Sequence, residues 1–317
     1  MSSEENPDAS PAQKKPIARF ATYLLIAIFI IGGIFLFRNI RNIHLQDSCQ
    51  TRLSALAIAV HEYHDTHKAF PSAAGPIISN DAATVLPVEE GVEPETEAPT
   101  DANKWSWRVR LLPYLGEKEL YDKFQFDEPW DSEHNLKIAE TMPLFFQCPA
   151  EKSGTKEING QAVPVTNYVM ITGPKTIGSI DSQVVRVDDV LDGISITLLL
   201  VEVAAENRPA WTEPTDITLE ELARGINVES GMSVGSRHAV GPGGANVCFA
   251  DSFTKFIESD YCDDNQVIKH YETKPLSVEF FNDPGELLVI LATYDDDFHF
   301  HEPDGLREEL RREGLMD

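Results

Sequence analysis

The feature that most constrains this chain is an uninterrupted apolar segment close to its beginning. Residues 20–37 form a run of 18 residues without a charged side chain, and most of them are Ile, Leu, Phe or Ala. An α-helix rises about 1.5 Å per residue, so the run approaches the ~30 Å hydrocarbon core of a bilayer. A buried core helix is rarely so uniformly apolar, and no small-residue cleavage site of a secretory peptide follows. We therefore predict a transmembrane helix over residues 17–38, which contacts the membrane through residues 20–37.

The charges that flank this segment leave its orientation undecided. Basic residues lie on both sides of it: Lys14, Lys15 and Arg19 before, Arg38 and Arg41 after. The positive-inside rule requires an imbalance between the two sides, and here they are nearly equal. Residues 1–16 are polar and contain proline, and we predict that they form a short disordered tail.

The helical pattern continues beyond the apolar segment. No proline occurs between Pro16 and Pro71, and no glycine occurs between Gly33 and Gly75. Residues with helical spacing define one face of this region: Cys49, Leu53, Leu56, Ala57, Val60 and His64. Such a face needs a partner surface, and a sheet would provide one. We predict one continuous helix that ends near Pro71 and packs on a sheet through its later half.

The rest of the chain is predicted to contain short elements separated by turns. Residues 72–104 are rich in Pro, Ala, Thr and Glu, a composition that predicts a flexible acidic loop. Short helices are predicted near residues 117–124 and after the cap at Asp131-Ser132. Strands are predicted over residues 166–172, 183–187, 197–202, 245–250 and 254–258. A C-terminal extension, residues 265–317, is predicted to contain a hairpin over residues 276–281 and 286–293, followed by a helix. A helix followed by antiparallel strands is an α+β pattern.

Composition excludes some functions. The chain has 52 acidic and 26 basic residues and a formal net charge of -26. Nucleic-acid binding requires a basic face, so nucleic acid is not an expected partner. No two of the four cysteines form a Cys-x-x-Cys pair, so the sequence does not support a zinc finger or a thioredoxin-like redox site. An even number of cysteines permits disulfides in an exported domain, but it does not determine which cysteines pair.

Several blocks of the sequence, taken in order, resemble a known family. The blocks are Cys49 with Leu53, Ala57 and His61; Tyr63-His64-Asp65; Phe70-Pro71; Ser106-Trp-Arg-Val; Leu112-Pro-Tyr-Leu; Phe126-Asp-Glu-Pro-Trp-Asp-Ser; Phe146-Gln-Cys-Pro; Thr166-Asn-Tyr-Val; Thr172-Gly-Pro; Leu200-Val-Glu; Trp211-Thr-Glu-Pro; and Gly243-Gly-Ala-Asn-Val-Cys-Phe-Ala-Asp. In their order and spacing, residues 45–260 resemble the domain of unknown function 1559 family, a planctomycete group of pilin- and pseudopilin-like proteins. Agreement across many blocks is more specific than one short motif.

The resemblance implies a fold, a location and a class of function. The implied fold is α+β and pilin-like, with a long N-terminal transmembrane helix packed against an antiparallel β-sheet. It implies a single-pass protein of the cytoplasmic membrane, with residues 1–16 in the cytoplasm and residues 39–264 outside it. No enzymatic activity is implied, and the sequence contains no phosphate-binding Gly-rich loop, His-Glu-x-x-His or Gly-x-Ser-x-Gly motif.

We therefore expect a non-catalytic structural or interaction protein of a secretion or cell-surface system, with homo- or hetero-oligomeric protein partners. The alternative is an extracytoplasmic module that binds calcium or polysaccharide. A hydrolase is the third hypothesis, and the missing motifs make it the weakest.

Two positions depart from the family pattern. Members begin with a prepilin signal that includes a glutamate, whereas this apolar run has none and carries Gly32 and Gly33 deep within it. The family's C-terminal motif is a histidine separated by nine residues from Asp-Gly. Here twelve residues separate His238 from Asp251, and Ser252 replaces the glycine.

Two of the blocks that carry the resemblance each contain a cysteine. We expect Cys49 and Cys148 to form a disulfide that connects the long helix to the globular domain. In the chain-entropy description, closing a loop of roughly 100 residues contributes about 4–5 kcal/mol. The alternative is that both are buried thiols.

Metal sites are the remaining candidates. His61, His64 and His67 recur every three residues and suggest zinc, but near a helix end they are also placed to interact with exposed carbonyls and the helix dipole. Calcium is the expected ion for two acidic groups: Asp260, Asp263 and Asp264, and Asp295, Asp296 and Asp297. Acidic turns that bind nothing are the more common explanation of such groups.

Two further groups of side chains have a functional and a structural interpretation. His238 and Asp251 would form an acid–base pair only if the fold brought them together, and we interpret them as loop residues. The four tryptophans are Trp105, Trp107, Trp130 and Trp211. In a carbohydrate-binding surface these side chains would be exposed, but we interpret them as core residues.

Overall fold

A computed structural model describes residues 16–77, 104–151, 153–179, 184–204, 207–228, 231–236, 243–258, 288 and 292–293, with side chains from residue 23 onward. The chain divides into two compact units, Met1–His44 and Leu45–Asp317. The boundary falls within the first helix, and each unit is described by itself below.

The first helix, α1, spans Pro16–His67 and has 52 residues. Pro16 suits the first helical position, where the backbone N–H has no partner within the helix. The helix ends where Lys68 adopts a left-handed conformation with φ 60°, and the Lys68 N–H donates to the His64 carbonyl over 2.7 Å. The predicted continuous helix is thus confirmed, and it ends three residues before Phe70.

In the first unit, the side chains of α1 from residue 23 to residue 38 are all exposed. The large apolar ones are Tyr23, Leu24, Leu25, Ile26, Ile28, Phe29, Ile30, Ile31, Ile34, Phe35, Leu36 and Phe37. In the described part of the chain, this helix is long and apolar enough to cross a membrane, and none of its apolar window is buried. A signal sequence near an N-terminus has the same length and composition.

In the second unit, the later part of α1 is amphipathic. Cys49, Leu53, Leu56 and Val60 have no exposed surface, whereas Ile58 is half exposed. The buried positions recur at intervals of three and four and so lie on one side of the helix. They belong to a hydrophobic core shared with residues of the main sheet and of the loops before it.

The main sheet has five strands: β5 (Tyr168–Thr172), β6 (Leu198–Glu202), β7 (Ile217–Thr218), β8 (Gly244–Phe249) and β9 (Thr254–Glu258). Their order across the sheet is β7-β5-β6-β8-β9. The pairs β5–β6, β6–β8 and β8–β9 are antiparallel, and the edge pair β5–β7 is parallel. The structure therefore confirms an α+β fold with a largely antiparallel sheet.

Both faces of the sheet are buried. Tyr168 and Met170 of β5 belong to the core that contains α1, whereas Val169 and Ile171 belong to a second core on the other face. This alternation follows from the two-residue period of a strand. The second core also includes Leu222 of the short helix α5 (Leu219–Leu222).

Two short hairpins precede the main sheet. In the first, β1 (Ala74–Gly75) pairs with β2 (Trp105–Ser106). Two residues near the beginning of the predicted flexible loop, residues 72–104, thus pair with the two residues that follow it. Residues 78–103 lie outside the described residues. The second hairpin joins β3 (Thr155–Ile158) to β4 (Gln161–Pro164) through a two-residue turn.

Short helices fill the segment between these hairpins. They are α2 (Trp107–Arg110), α3 (Lys118–Tyr121) and α4 (Glu133–Ala139), with 3-10 turns at Leu112–Leu115 and Leu144–Phe146. The Ser132 side chain accepts from the Asn135 N–H and caps α4, as the sequence predicted.

Four of the five strands predicted for the main sheet are present, and their ends agree with the predicted ends to within two residues. The fifth prediction is wrong. Residues 184–186 are not a strand, and Val187–Asp189 form a 3-10 turn. Asp189 explains the difference, because its carboxylate accepts from the Arg186 N–H over 2.7 Å and stabilises the turn.

The C-terminal extension also differs from the predicted hairpin. Leu288 and Ala292, two of the three described residues there, are helical instead of extended, and both are buried in the second core. The rest of the predicted hairpin and the final helix lie outside the described residues.

We expect Leu53→Ala to lower the free energy of unfolding by about 2–4 kcal/mol, because the substitution leaves a cavity in the core. Ile58→Ala is the matched control on the exposed side of the same helix, and its effect should be below about 1 kcal/mol. Denaturant unfolding of the full-length protein in mild detergent, followed by tryptophan fluorescence, measures both. Equal effects of the two substitutions would contradict the packing of this half of α1.

Candidate functional site

Five polar side chains meet in the core between α1 and the main sheet. Cys49 comes from α1, Tyr168 begins β5, Glu202 ends β6, Asn246 lies in β8, and Cys148 follows the 3-10 turn Leu144–Phe146. All five have no exposed surface. We refer to them as the thiol–carboxyl cluster.

The Cys49 sulfur is the centre of the cluster. It lies 2.9 Å from the Cys148 sulfur, and the Tyr168 hydroxyl donates to it over 3.0 Å. Glu202 Oε1 is 3.7 Å from the same sulfur. The other Glu202 oxygen accepts from Asn246 Nδ2 over 2.6 Å, so the carboxyl group is held from β8 as well.

A separate set of hydrogen bonds positions Cys148. Its backbone N–H donates to Asn167 Oδ1 over 2.9 Å, and Asn167 Nδ2 donates to the Val203 carbonyl over 3.2 Å. The neighbouring Thr166 hydroxyl donates to the Phe146 carbonyl over 2.9 Å. These bonds fix the Cys148 backbone to the sheet independently of α1, so the two sulfurs approach each other from two separate supports.

Burial controls the electrostatics of the cluster. The pKa of the Tyr168 hydroxyl is raised well above its usual range, first by burial and then by the proximity of Cys49 and Glu202. The hydroxyl therefore stays protonated and remains a hydrogen-bond donor to the Cys49 sulfur.

Two chemistries suit two thiols beside a carboxyl group: disulfide formation and metal coordination. In the described part of the chain, Cys49, Cys148 and Glu202 offer ligand atoms that all lie within 4.8 Å of one another. Two thiolates on one tetrahedral zinc ion, each at about 2.3 Å, would place their sulfurs about 3.8 Å apart. The observed separation of 2.9 Å lies between this value and the ~2.05 Å of a disulfide bond, so either chemistry requires the sulfurs to move by about 1 Å.

The cluster brings together the two cysteines that the resemblance paired, and it adds residues that the sequence analysis did not single out as a site. Tyr168 and Glu202 each lie in a block quoted for the resemblance, but no spacing rule connected them to Cys49. The disulfide itself stays a prediction and is argued below. The predicted calcium ligands lie outside the described residues: Asp260, Asp263, Asp264, Asp295, Asp296 and Asp297.

The three histidines at the end of α1 contact different groups. A ring nitrogen of His61 lies against the Ala250 carbonyl. The Val187 N–H donates to His64 Nε2 over 3.4 Å, and His67 Nε2 is 3.0 Å from the Tyr114 hydroxyl. The rings thus connect the helix end to three separate loops, whereas the sequence analysis expected contacts with the exposed carbonyls of the helix end. Of the His238–Asp251 pair, His238 lies outside the described residues, and Asp251 is an exposed turn residue whose carboxylate accepts from the Phe253 N–H.

A buried ion pair near the edge of the sheet was missed by the sequence analysis. Arg108 Nη2 lies 2.5 Å from Asp216 Oδ1, and neither side chain is exposed. The Asp216 carboxylate also accepts from Trp107 Nε1 over 3.0 Å and from the Met170 N–H over 2.8 Å. The pKa of Asp216 is raised above its usual value, because the effect of burial outweighs the opposing effects of Arg108 and these donors. Only the fold could reveal this pair, because its partners are 108 residues apart.

The tryptophans belong mainly to the core, as interpreted from the sequence. Trp105, Trp107 and Trp211 are buried, and Trp130 is half-buried. Trp211 Nε1 donates to the Ala139 carbonyl over 2.7 Å, which connects α4 to the segment before β7.

A scan against known protein families matches residues 46–221 to the family described as "Protein of unknown function (DUF1559)". The match covers more than half of the chain. The protein belongs to the domain of unknown function 1559 family. No curated protein and no solved structure gave a significant match.

The family match covers part of the site. The match begins at residue 46, one residue after the start of the second unit at Leu45. It includes four members of the thiol–carboxyl cluster. Asn246 of β8 lies beyond it. The match ends at residue 221, earlier than the residues 45–260 suggested by the resemblance.

The position that departs from the family's C-terminal motif has an unusual backbone. Ser252 has φ 70°, in the left-handed region, and its N–H donates to the Phe249 carbonyl over 3.0 Å. An L-residue adopts this region at a penalty of about 1–2 kcal/mol that glycine does not incur. The Asp-Gly of the family motif therefore suits this turn between β8 and β9 better than Asp-Ser.

We expect Ser252→Gly to raise the free energy of unfolding by about 0.5–1 kcal/mol. Glycine removes the backbone penalty of the folded state, and this gain exceeds the entropic cost of ordering a more flexible unfolded chain. Ser252→Ala is the control, since alanine keeps the penalty and should give no gain. Equilibrium unfolding in denaturant measures both variants, and a gain from alanine equal to that from glycine would contradict this explanation.

We also expect the protein to lose stability as the pH falls below 6.5. Burial lowers the pKa of His64 and of His67 below their usual value of 6.5. The unfolded chain then binds protons at a higher pH than the folded protein, so the stabilisation is complete above pH 6.5 and is lost as the pH falls through the folded-state values. The combined substitution His64→Gln and His67→Gln should reduce the slope of unfolding free energy against pH between 7 and 5. An unchanged slope would show that other groups are responsible.

Proposed function

We propose that this protein is a membrane-anchored, non-catalytic structural or interaction protein of the pilin or pseudopilin type, with its second unit outside the cytoplasm. Its partners would be further copies of itself or other proteins of a secretion or cell-surface system. The observation that carries the proposal is the exposed apolar surface of α1 between residues 23 and 37.

The physical argument concerns solvation. Twelve large apolar side chains on that part of α1 are 49–82% exposed, which is unfavourable in water. A hydrocarbon environment removes this penalty, and a helix satisfies its backbone hydrogen bonds internally. A bilayer is therefore the environment that best fits the length of this apolar segment, its composition and its lack of charged side chains.

A non-catalytic role is supported by the burial of the reactive groups. Cys49, Cys148 and Glu202 are fully buried, and so are the side chains of Arg108 and Asp216. A substrate would reach them only after the core had opened. These groups connect elements of the fold, as expected of a structural domain.

The combined substitution Ile28→Arg and Ile31→Arg should release the protein from the membrane, because each arginine near the bilayer centre costs about 2.5–3.5 kcal/mol. The control, Ile40→Arg with Ile43→Arg, changes two exposed residues of α1 after the apolar segment and should leave the protein in the membrane. Carbonate extraction of the membrane fraction, followed by immunoblotting, measures the distribution. A wild-type protein that carbonate releases would contradict the proposal.

Orientation and processing need two further measurements. In a Cys262→Ser background, Lys118→Cys places a thiol at an exposed site of the second unit, where the Lys118 side chain is 70% exposed. A membrane-impermeant maleimide should label it in intact cells, while Ser3→Cys in the tail should react only after permeabilisation. The opposite pattern would contradict the orientation. N-terminal sequencing of the mature protein then separates an anchor, which retains residues 20–37, from a cleaved signal sequence.

A further inference from the structure

We propose that Cys49 and Cys148 form a disulfide in the mature protein, which covalently joins α1 to the segment that precedes β3. The inference rests on the proposed function for its oxidising compartment, since disulfides persist outside the cytoplasm and are rare within it. It assigns a chemical role to the thiol–carboxyl cluster.

The first argument is the way the two sulfurs are held. They belong to residues 99 positions apart in sequence, and they lie in direct contact within the core. Cys49 is fixed by the packing of α1, whereas the Cys148 backbone is fixed to Asn167. The sulfurs therefore meet because the fold brings them together, and local chain geometry plays no part.

The second argument is chemical. Disulfide formation by exchange needs a thiolate, a disulfide-bearing oxidant and acceptors for the released protons. The Tyr168 hydroxyl donates to the Cys49 sulfur, and Glu202 Oε1 lies 3.7 Å from that sulfur, where it can accept the Cys49 proton. The cluster therefore holds a hydrogen-bond donor and a proton acceptor at the sulfur that closes the bond.

The reaction uses a disulfide carrier, either a thiol–disulfide oxidoreductase or a small disulfide. The Cys148 thiolate attacks one carrier sulfur, the carrier disulfide breaks, and one carrier thiolate leaves. The Cys49 thiolate then attacks the Cys148 sulfur, and the second carrier thiolate leaves. The carrier disulfide gains two electrons and becomes two thiolates, which take up the two protons that the cysteines lose and so end as thiols. Because both sulfurs are fully buried, the first exchange precedes the docking of α1, and docking drives closure.

Cys248 provides a matched internal control. It is also fully buried in the core that contains α1, but its sulfur contacts backbone oxygens, 3.8 Å from the Leu53 carbonyl and 3.5 Å from that of Phe249. Burial raises the pKa of the Cys248 thiol well above its usual range. Because these contacts are backbone oxygens and not a second sulfur, it should remain a thiol under conditions that oxidise the other pair.

Peptide mapping tests the connection directly. Full-length protein purified from membranes in mild detergent is denatured with an alkylating reagent present, digested without reductant and analysed by mass spectrometry. We expect a cross-linked pair of peptides that contain Cys49 and Cys148, with Cys248 alkylated. Alkylation of Cys49 or Cys148 in this map would overturn the proposal, and so would one equivalent of bound zinc measured by elemental analysis of the purified protein.

A thermal measurement tests the energetic consequence. Dithiothreitol should lower the Tm of the wild-type protein by roughly 10 °C, because reduction restores the conformational freedom of a loop of about 100 residues in the unfolded chain. The Cys49→Ser, Cys148→Ser double variant should have a lower Tm that dithiothreitol does not change further. Cys248→Ser should keep the full response. A response that persists in the double variant would overturn the assignment.

Failure of this inference is distinguishable from failure of the proposed function. The maleimide experiment reports the compartment without reference to Cys49. If the native protein is reduced, the map is repeated after treatment with glutathione disulfide during refolding. Formation of the Cys49–Cys148 link at that stage would locate the error in the compartment, whereas its absence would locate the error in the pairing.

Discussion

The packing of the later half of α1 against the main sheet is the interaction on which the second unit depends. Leu53, Leu56 and Val60 are fully buried there, and burial of such side chains contributes about 1.5–3 kcal/mol each. The helix covers the sheet face that carries Tyr168 and Met170. Without it, that face would be exposed to water, and the thiol–carboxyl cluster would lose its central sulfur.

The opposite face of the sheet requires a second cover, and later parts of the chain provide it. Val169, Ile171 and Val201 point to that side and pack with Leu222 of α5 and with Leu288. A sheet covered on both faces has strands whose residues are all buried, which is the pattern of β5, β6 and β8. Leu288 and Ala292 of the C-terminal extension are thus part of this core, although the family match ends at residue 221.

Buried polar groups specify how these layers fit together. The Arg108–Asp216 pair connects α2 to the segment before β7 and to the β5 backbone, and the thiol–carboxyl cluster connects α1 to β5, β6 and β8. An apolar core tolerates sliding of one layer over another, whereas a buried carboxylate needs its own donors in place. We infer that these two groups fix the relative positions of the layers.

The limits of prediction are visible in particular elements. Caps and uninterrupted periodic patterns are local, so α1, α4 and four strands could be predicted from the sequence. The sequence analysis missed the β3–β4 hairpin, although Asn159-Gly160 is a strong two-residue turn signal and both residues have positive φ, 50° and 84°. The strand expected near residue 185 failed because one side chain, that of Asp189, stabilises a turn, which an apolar pattern does not reveal. Arg108 and Asp216 were not predictable as a pair, because nothing in the sequence relates residues so far apart.

The sequence by itself determined a long helix that is apolar at its start and amphipathic later, an acidic protein without the features of nucleic-acid binding, and an α+β order of elements. These follow from side-chain periodicity and charge, which act locally along the chain. Only the tertiary structure decided that Cys49, Cys148, Tyr168 and Glu202 meet at one point, and that both faces of the sheet are buried. The reason is physical: such contacts depend on the register and packing of elements about a hundred residues apart, and many arrangements share the same local pattern.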